Sequence, residues 1–293
     1  MIRIGVVNID TSHPKAFAEI LHSGSRARCS AIFNDGFRGA DEVDAFMSRF
    51  GIHVQCASVK ELAAETDVGF IQGCNWDLHL DHAMPFIEAG KPVFIDKPVV
   101  GNVRDCDRLE ALGAAGGVIL GSSALRYSPE ITSFLGRPES ERGEVVHAYG
   151  TCGFDHFNYA VHIVESLCAL LQSEPVANRF LARTVRGESS CETYSIDFSN
   201  GTAATYTSFE GQWMPYELVV MTTKGTYSFG ISSEGVYLPL LDRICHYVET
   251  GENRCASAAE LADSIRILLA GRLSRERGGQ LDETSRRSHY LRP

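Results

Sequence analysis

Over residues 2–122, short apolar runs alternate with amphipathic segments, and this alternation constrains the fold more than any other feature of the chain. The runs IRIGVV (2–7), ARCSAIF (27–33), VGFIQGC (68–74), PVFID (92–96) and VILGS (118–122) have the length and apolar content of strands. Between them, residues 13–24, 40–51, 78–90 and 102–117 carry apolar side chains at helical spacing, and a glycine closes each segment. Strands that are apolar throughout need cover on both faces, so the expected architecture is a Rossmann-like, doubly wound parallel sheet. Sites in such sheets lie beyond the carboxyl ends of the strands, in the loops after Val7, Phe33, Gln72 and Ile95.

After Ser123 the texture changes. One helical segment, NYAVHIVESLCALL (158–171), precedes Thr-, Tyr- and Phe-rich strand candidates at 177–185, 191–198, 202–209, 216–223 and 225–230. Ser199-Asn200-Gly201 and Lys224-Gly225 mark turns between them, and helical segments at 238–251 and 258–276 follow. This pattern predicts an α+β domain with an open, mostly antiparallel sheet and helices on one face. The expected domains are 1–122 and 123–293.

A formal net charge of −10 argues against a nucleic-acid groove, which needs clustered Lys and Arg. No apolar run approaches the ~20 residues of a membrane span. The first strand opens at Ile2 and leaves no room for a leader, so a cytoplasmic location is expected. The nine cysteines are scattered singly without a C-x-x-C pair, as reduced thiols would be.

Two residues stand out for acid–base chemistry. Lys97 follows an apolar strand directly, and desolvation there would bring its ammonium toward a useful range. His162 has an imidazole suited to accepting a hydroxyl proton, and Asp155, Asn158 and His162 at i, i+3 and i+7 predict one helical face. His79 and His82, together with Asp155, His156, His162 and Glu165, raise a metal site as an alternative. No compact ligand signature supports it, and no metal is expected.

The order of these segments resembles the Gfo/Idh/MocA oxidoreductases, the glucose–fructose oxidoreductase and inositol dehydrogenase family, from Ile2 to about Leu281. Asp96-Lys97-Pro98 is similar to the family's Glu-Lys-Pro. Residues 74–98 resemble its T-P-x-x-x-H…E-K-P segment, with Cys74 and Asn75 in place of Thr-Pro and His79 on the family histidine. SALRYSPE places Arg126 on an arginine near the substrate, and Asn158 to His162 resembles the catalytic Asp-x-x-x-His, with Asn158 where Asp is usual. The resemblance implies a nicotinamide dinucleotide, NAD or NADP, that exchanges hydride at a hydroxyl or carbonyl carbon of a sugar, cyclitol or related polyol. It further implies His162 as acceptor of the hydroxyl proton, Lys97 holding the same oxygen, and Asn158 fixing it. Arg126, Tyr127, Asp155, His156 and Tyr159 would line the substrate. A homodimer or tetramer through the second sheet is expected.

The chain departs from the family at the glycine fingerprint, whose three positions are Asn8, Asp10 and His13. Asn tolerates left-handed backbone. A carboxylate at position 10 would repel a diphosphate unless it turned away to cap the next helix, where Asp10, Thr11 or Ser12 would serve. Thr11, Ser12 and His13 can also donate to phosphate. At the second strand's end, Asn34 and Asp35 occupy the ribose position and lean toward NAD, with Arg38 as a counter-indication. The cofactor set is completed by Cys74, Asn75, His79, Asp96 and Lys97. The alternative is a cofactor-diverged member that uses Lys97 and His162 as a lyase, epimerase or hydrolase-like enzyme, with or without a metal.

Overall fold

The computed structural model describes residues 1–280 and 282–283. Residue 281, where the resemblance ends, and residues 284–293, the tail of the expected second domain, lie outside the described residues. In chain order the elements are β1 (Ile2–Val7), α1 (His13–Ser23), β2 (Ala27–Phe33), α2 (Ala40–Phe50), β3 (Val54–Gln55), α3 (Val59–Glu65), β4 (Val68–Ile71), α4 (His79–Glu88), β5 (Val93–Ile95), α5 (Val103–Ala114) and β6 (Ile119–Gly121). They continue with α6 (Pro129–Gly136), α7 (Glu139–Arg142), β7 (Val145–Cys152), α8 (Ala160–Leu171), β8 (Pro175–Arg186), β9 (Ser189–Phe198), β10 (Ala203–Glu210), β11 (Glu217–Thr222), β12 (Gly225–Gly230), α9 (Leu238–Thr250), α10 (Ala258–Glu276) and β13 (Asp282–Glu283).

The chain forms two compact units, one of Met1–Ser122 with Tyr237–Leu261 and one of Ser123–Val236 with the chain from Ala262 on. The first holds a six-stranded parallel sheet in the order β3-β2-β1-β4-β5-β6. The order in which strands are added reverses between β1 and β4, which opens a crevice at their carboxyl ends. The strands are buried because both faces are covered, with Phe17 of α1 packed against Phe70 and Phe94 at ring separations of 6.3 and 5.8 Å.

Although it follows the second sheet in sequence, the segment Tyr237–Leu261 clusters with the first unit for identifiable reasons. The Tyr237 ring meets Phe17 edge-on at 5.0 Å, and the Arg26 guanidinium donates to Asp242 and Glu249 of α9. Ala258 packs where Gly113 has no side chain, leaving no room for a methyl group there.

The second unit holds a seven-stranded mixed sheet in the order β12-β11-β7-β10-β9-β8-β13. Every pair is antiparallel except β7 with β10. Strand β7, absent from the sequence reading, lies between β10 and β11 and carries the middle of the sheet. Helix α8 covers this sheet and is buried along almost its whole length.

Candidate active site

The loop after β1 replaces glycine freedom with side-chain hydrogen bonds. Asn8 takes the left-handed backbone conformation, φ +66°, that a glycine would otherwise supply. Its Oδ1 accepts the backbone N–H groups of Asp35 and Gly36, at 2.8 and 3.1 Å, and its Nδ2 donates to Asp35 Oδ1.

Asp10 does not cap α1. Ser12 is the N-cap and makes no side-chain capping bond. The Asp10 carboxylate, on a residue only 5% exposed, accepts Phe37 N–H through Oδ1 and Cys74 N–H through Oδ2, both at 3.1 Å. It therefore ties the loop after β2 to the loop after β4, directly over the end of β1. A methyl group on Gly36 would overlap this carboxylate. Gly36→Ala is accordingly expected to lower the unfolding free energy by about 2 kcal/mol in urea denaturation. Unchanged stability would mean that the carboxylate is not seated there.

Around this tie, Asn34 accepts Ile9 N–H and donates to the Arg38 carbonyl. The Asp35 side chain is 42% exposed, with Oδ2 3.0 Å from His82 Nε2. Thr11 Oγ1 accepts His13 N–H, and Ser12 is exposed. Asn75 caps a short turn by accepting Asp77 N–H. The Cys74 thiol is pushed up by burial and by neighbouring Asp10, so it is no reactive thiolate.

His79, expected in the cofactor set, faces the backbone of two loops. It is buried, and its Nδ1 and Nε2 lie 3.1 and 2.9 Å from the carbonyl oxygens of Val99 and Gly73. Burial lowers its pKa, so the ring is neutral and donates to one of these two carbonyls, with its other nitrogen lying against the second.

At the end of β5, Asp96 is buried with Oδ2 2.6 Å from His13 Nδ1 and Oδ1 accepting Lys97 N–H at 2.7 Å. Burial alone would raise the Asp96 carboxyl, but His13 and Lys97 outweigh it and hold the group below its ordinary value. Asn8, Asp10, His13, Asp35 and Asp96 thus converge on the carboxyl ends of β1, β2 and β5, beside the strand that bears Lys97.

Residues 2–123 match the Gfo/Idh/MocA family model, described as an oxidoreductase family with an NAD-binding Rossmann fold. The first part of the chain, less than half of it, is therefore similar to this family. Inositol 2-dehydrogenase from Gluconacetobacter diazotrophicus is 35% identical over 107 residues, 36% of this chain and 30% of the relative. The chain matches less than a third of the length of such curated relatives. Beyond this segment the likeness is one of fold. Scyllo-inositol dehydrogenase from Lactobacillus casei, solved with NAD(H) and scyllo-inositol, superposes with a TM-score of 0.82 over 97% of this chain and 99% of that one, at 13% identity. GenD2 from gentamicin A biosynthesis, solved with NAD, gives 0.80 over 96% of each chain, at 16% identity.

The residues of the first unit fit a dinucleotide, although not through glycines. Asp10 is spent on backbone N–H groups and is not presented as a free charge to a diphosphate. The Ser12 hydroxyl makes no capping bond at the start of α1, and Asp35 stands exposed at the end of β2. Arg38, the group that would receive a 2′-phosphate, is engaged by Glu42 and by the Asp10 carbonyl.

In the second unit, the expected helical face of Asp155, Asn158 and His162 does not form. Helix α8 starts at Ala160, and Asp155 Oδ1 instead accepts Phe157 and Asn158 N–H in the preceding turn. His162 is buried on α8 with Nδ1 2.7 Å from Ser123 Oγ. Glu165, one turn on and also buried, accepts Ser123 N–H. No sequence signal pointed to Ser123, and Glu165 entered only through the metal alternative, although a lone carboxylate on a mostly apolar helix was a readable signal. Arg126 and Tyr127 are buried in the turn Ala124–Tyr127, with Arg126 donating to the Glu165 carbonyl. Tyr159 and Tyr216 face the His162 ring, and exposed Trp213 and Phe154 extend this aromatic cluster.

His156 is drawn into the sheet rather than the cluster. Its Nε2 bonds Tyr206 Oη, its ring lies 4.3 Å from Tyr194, and burial followed by Arg275 lowers its pKa to about 3. Among the described residues, no group of three or more His, Cys, Asp or Glu is placed to hold a metal ion. No helix among them is long and apolar enough to cross a membrane.

Proposed function

We propose that this chain is an NAD-dependent oxidoreductase that acts at a hydroxyl or carbonyl carbon of a sugar, cyclitol or related polyol. The observation that carries the reading is the Asp96-Lys97-Pro98 segment at the end of β5, within the residues that match the Gfo/Idh/MocA model, with Asp96 buried and fixing the Lys97 backbone. When bound, NAD supplies the hydride acceptor or donor. Asp35 would accept the adenosine ribose hydroxyls, and Thr11 with Ser12 at the start of α1 would meet the diphosphate.

Lys97 and His162 are the proposed acid–base groups. Lys97 holds and polarises the reacting oxygen, and His162, its ring fixed by Ser123, carries the hydroxyl proton. The exposed aromatic rings beside His162 suit the apolar face of a sugar or cyclitol ring. Exposed Val146, Leu181, Val185 and Met221 on the second sheet support pairing of copies through that sheet.

The test is titration with NADH and NADPH, followed by nicotinamide fluorescence and by Tm. NADH is expected to bind at least tenfold more tightly than NADPH, because Asp35 faces the ribose edge and Arg38 is already engaged. Binding of neither at millimolar concentration would sink the oxidoreductase reading.

A further inference from the structure

The carboxylate at the ribose position is held from two sides. Asp35 Oδ1 accepts Asn8 Nδ2 at 2.9 Å, and Asp35 Oδ2 lies 3.0 Å from Nε2 of His82, on α4. A carboxylate accepts and does not donate, so the hydrogen of the second contact is on His82 Nε2. The backbone beneath is fixed as well. Asp35 and Gly36 N–H donate to Asn8 Oδ1, and Phe37 N–H donates to Asp10. Despite these ties the Asp35 side chain is 42% exposed. Each carboxylate oxygen has two acceptor positions, so one on each remains after Asn8 and His82 are served. Two adjacent acceptors match the 2′- and 3′-hydroxyls of a ribose.

Packing alone does not explain a histidine at position 82. The residue is buried, its ring meets Phe33 edge-on at 6.2 Å, and its Nδ1 is sealed from solvent without a partner among the described residues. A buried polar atom left unmet lowers stability, which an apolar side chain in the same place would not do. The one bond the ring makes goes to an exposed carboxylate, and such a bond adds little to stability. What the imidazole does supply is a donor in a fixed place, which keeps Asp35 Oδ2 in one orientation.

We infer that His82 is a positioning residue for dinucleotide selection, acting through Asp35. It holds the carboxylate so that both oxygens meet the adenosine ribose hydroxyls and stand against a 2′-phosphate. The inference rests on the NAD reading above and adds a residue of α4 to it. Two hydroxyls donate to a carboxylate, whereas a 2′-phosphate brings negative charge up to it. Released from His82, Asp35 keeps its charge but turns more freely. NADH then loses a preset pair of acceptors, and NADPH loses a fixed repulsion.

The experiment measures NADH and NADPH affinity by nicotinamide fluorescence in the full-length wild type and in His82→Leu, His82→Phe and His82→Gln. Leucine and phenylalanine remove the donor, and phenylalanine keeps a ring against Phe33. Glutamine places an N–H donor near the position of Nε2. His82→Leu and His82→Phe are each expected to weaken NADH about tenfold and to leave NADPH within about threefold, so the preference for NADH narrows. His82→Gln is expected to restore the preference to within about twofold of wild type. In an Asp35→Ala background, His82→Leu is expected to change NADH affinity by less than about twofold, because the group it acts through is gone. Urea midpoints establish that each variant is folded, and the orphan Nδ1 predicts no loss of midpoint in His82→Leu.

A narrowed preference that glutamine restores supports the assignment. A wild-type preference in the folded apolar variants overturns it while the oxidoreductase reading stands, whether NADH binding is unchanged or falls in step with NADPH. A full tenfold loss in the Asp35→Ala background overturns it as well, since His82 then acts without Asp35. Binding of neither dinucleotide by the wild type overturns the oxidoreductase reading and this assignment with it.

Discussion

Replacing Asp10 with glycine, which restores the middle residue of the family fingerprint, is expected to destabilise the protein by about 3 kcal/mol and not to tighten NADH binding. The carboxylate is buried and is the acceptor for Phe37 and Cys74 N–H. Its loss leaves two loop donors without that partner at about 1–3 kcal/mol each, and glycine adds backbone entropy to the unfolded chain. Cavity relaxation and water entering from the crevice recover part of this. Asp10→Asn is expected to fall near half the loss, since its amide keeps one acceptor while its NH₂ opposes an N–H donor. Chemical denaturation of the three proteins gives the order, and NADH titration gives the affinity. A glycine variant of wild-type stability that binds NADH more tightly would show that Asp10 obstructs a standard diphosphate loop instead of holding a substitute for it.

The difference between what the sequence made legible and what it hid follows from the range of the interactions. The parallel sheet was readable because β4 and β5 are apolar in every residue and β1 in all but Arg3, and a strand covered on both faces is built that way. Strand β7 was missed because its partly exposed pattern follows the charged stretch RPESERGE, which masks the glycine turn signal before it. Asp155 and Asn158 had helical spacing to His162. That spacing also fits a turn in which an aspartate accepts the next backbone N–H groups, and the turn is what forms.

Asp10 read locally as a helix cap because its true partners lie 27 and 64 residues away. The His13–Asp96 contact spans 83 residues, beyond any local periodicity. Position within a fold can be inferred from pattern. The partner of a buried charge cannot, until the chain is folded around it.

Lys97→Ala and His162→Gln are each expected to lower kcat/KM by about 100-fold or more, the contribution of a positioned acid–base group. The two losses should differ in character. Lys97 sits on a backbone fixed by buried Asp96, so removing its ammonium deprives the reacting oxygen of a charge without disturbing the strand. Lys97→Arg keeps the charge but cannot release a proton in the working range. Recovery of most of the activity in Lys97→Arg would assign Lys97 to polarisation, and no recovery would assign it to proton transfer or to exact placement of the oxygen.

His162 needs the conservative glutamine because alanine would take the imidazole partner from the Ser123 hydroxyl, leaving it only the Leu125 N–H, and open a cavity on a buried helix face. Its loss should remove the acidic limb of the kcat/KM profile, since only the neutral imidazole takes the hydroxyl proton. Ser123→Ala supplies the control. It frees the ring without deleting it, so the limb should persist at a shifted midpoint with a smaller fall in rate. An unchanged profile in His162→Gln would refute its role as proton acceptor and move the acid–base step to the first unit, where Lys97 and His13 already flank Asp96.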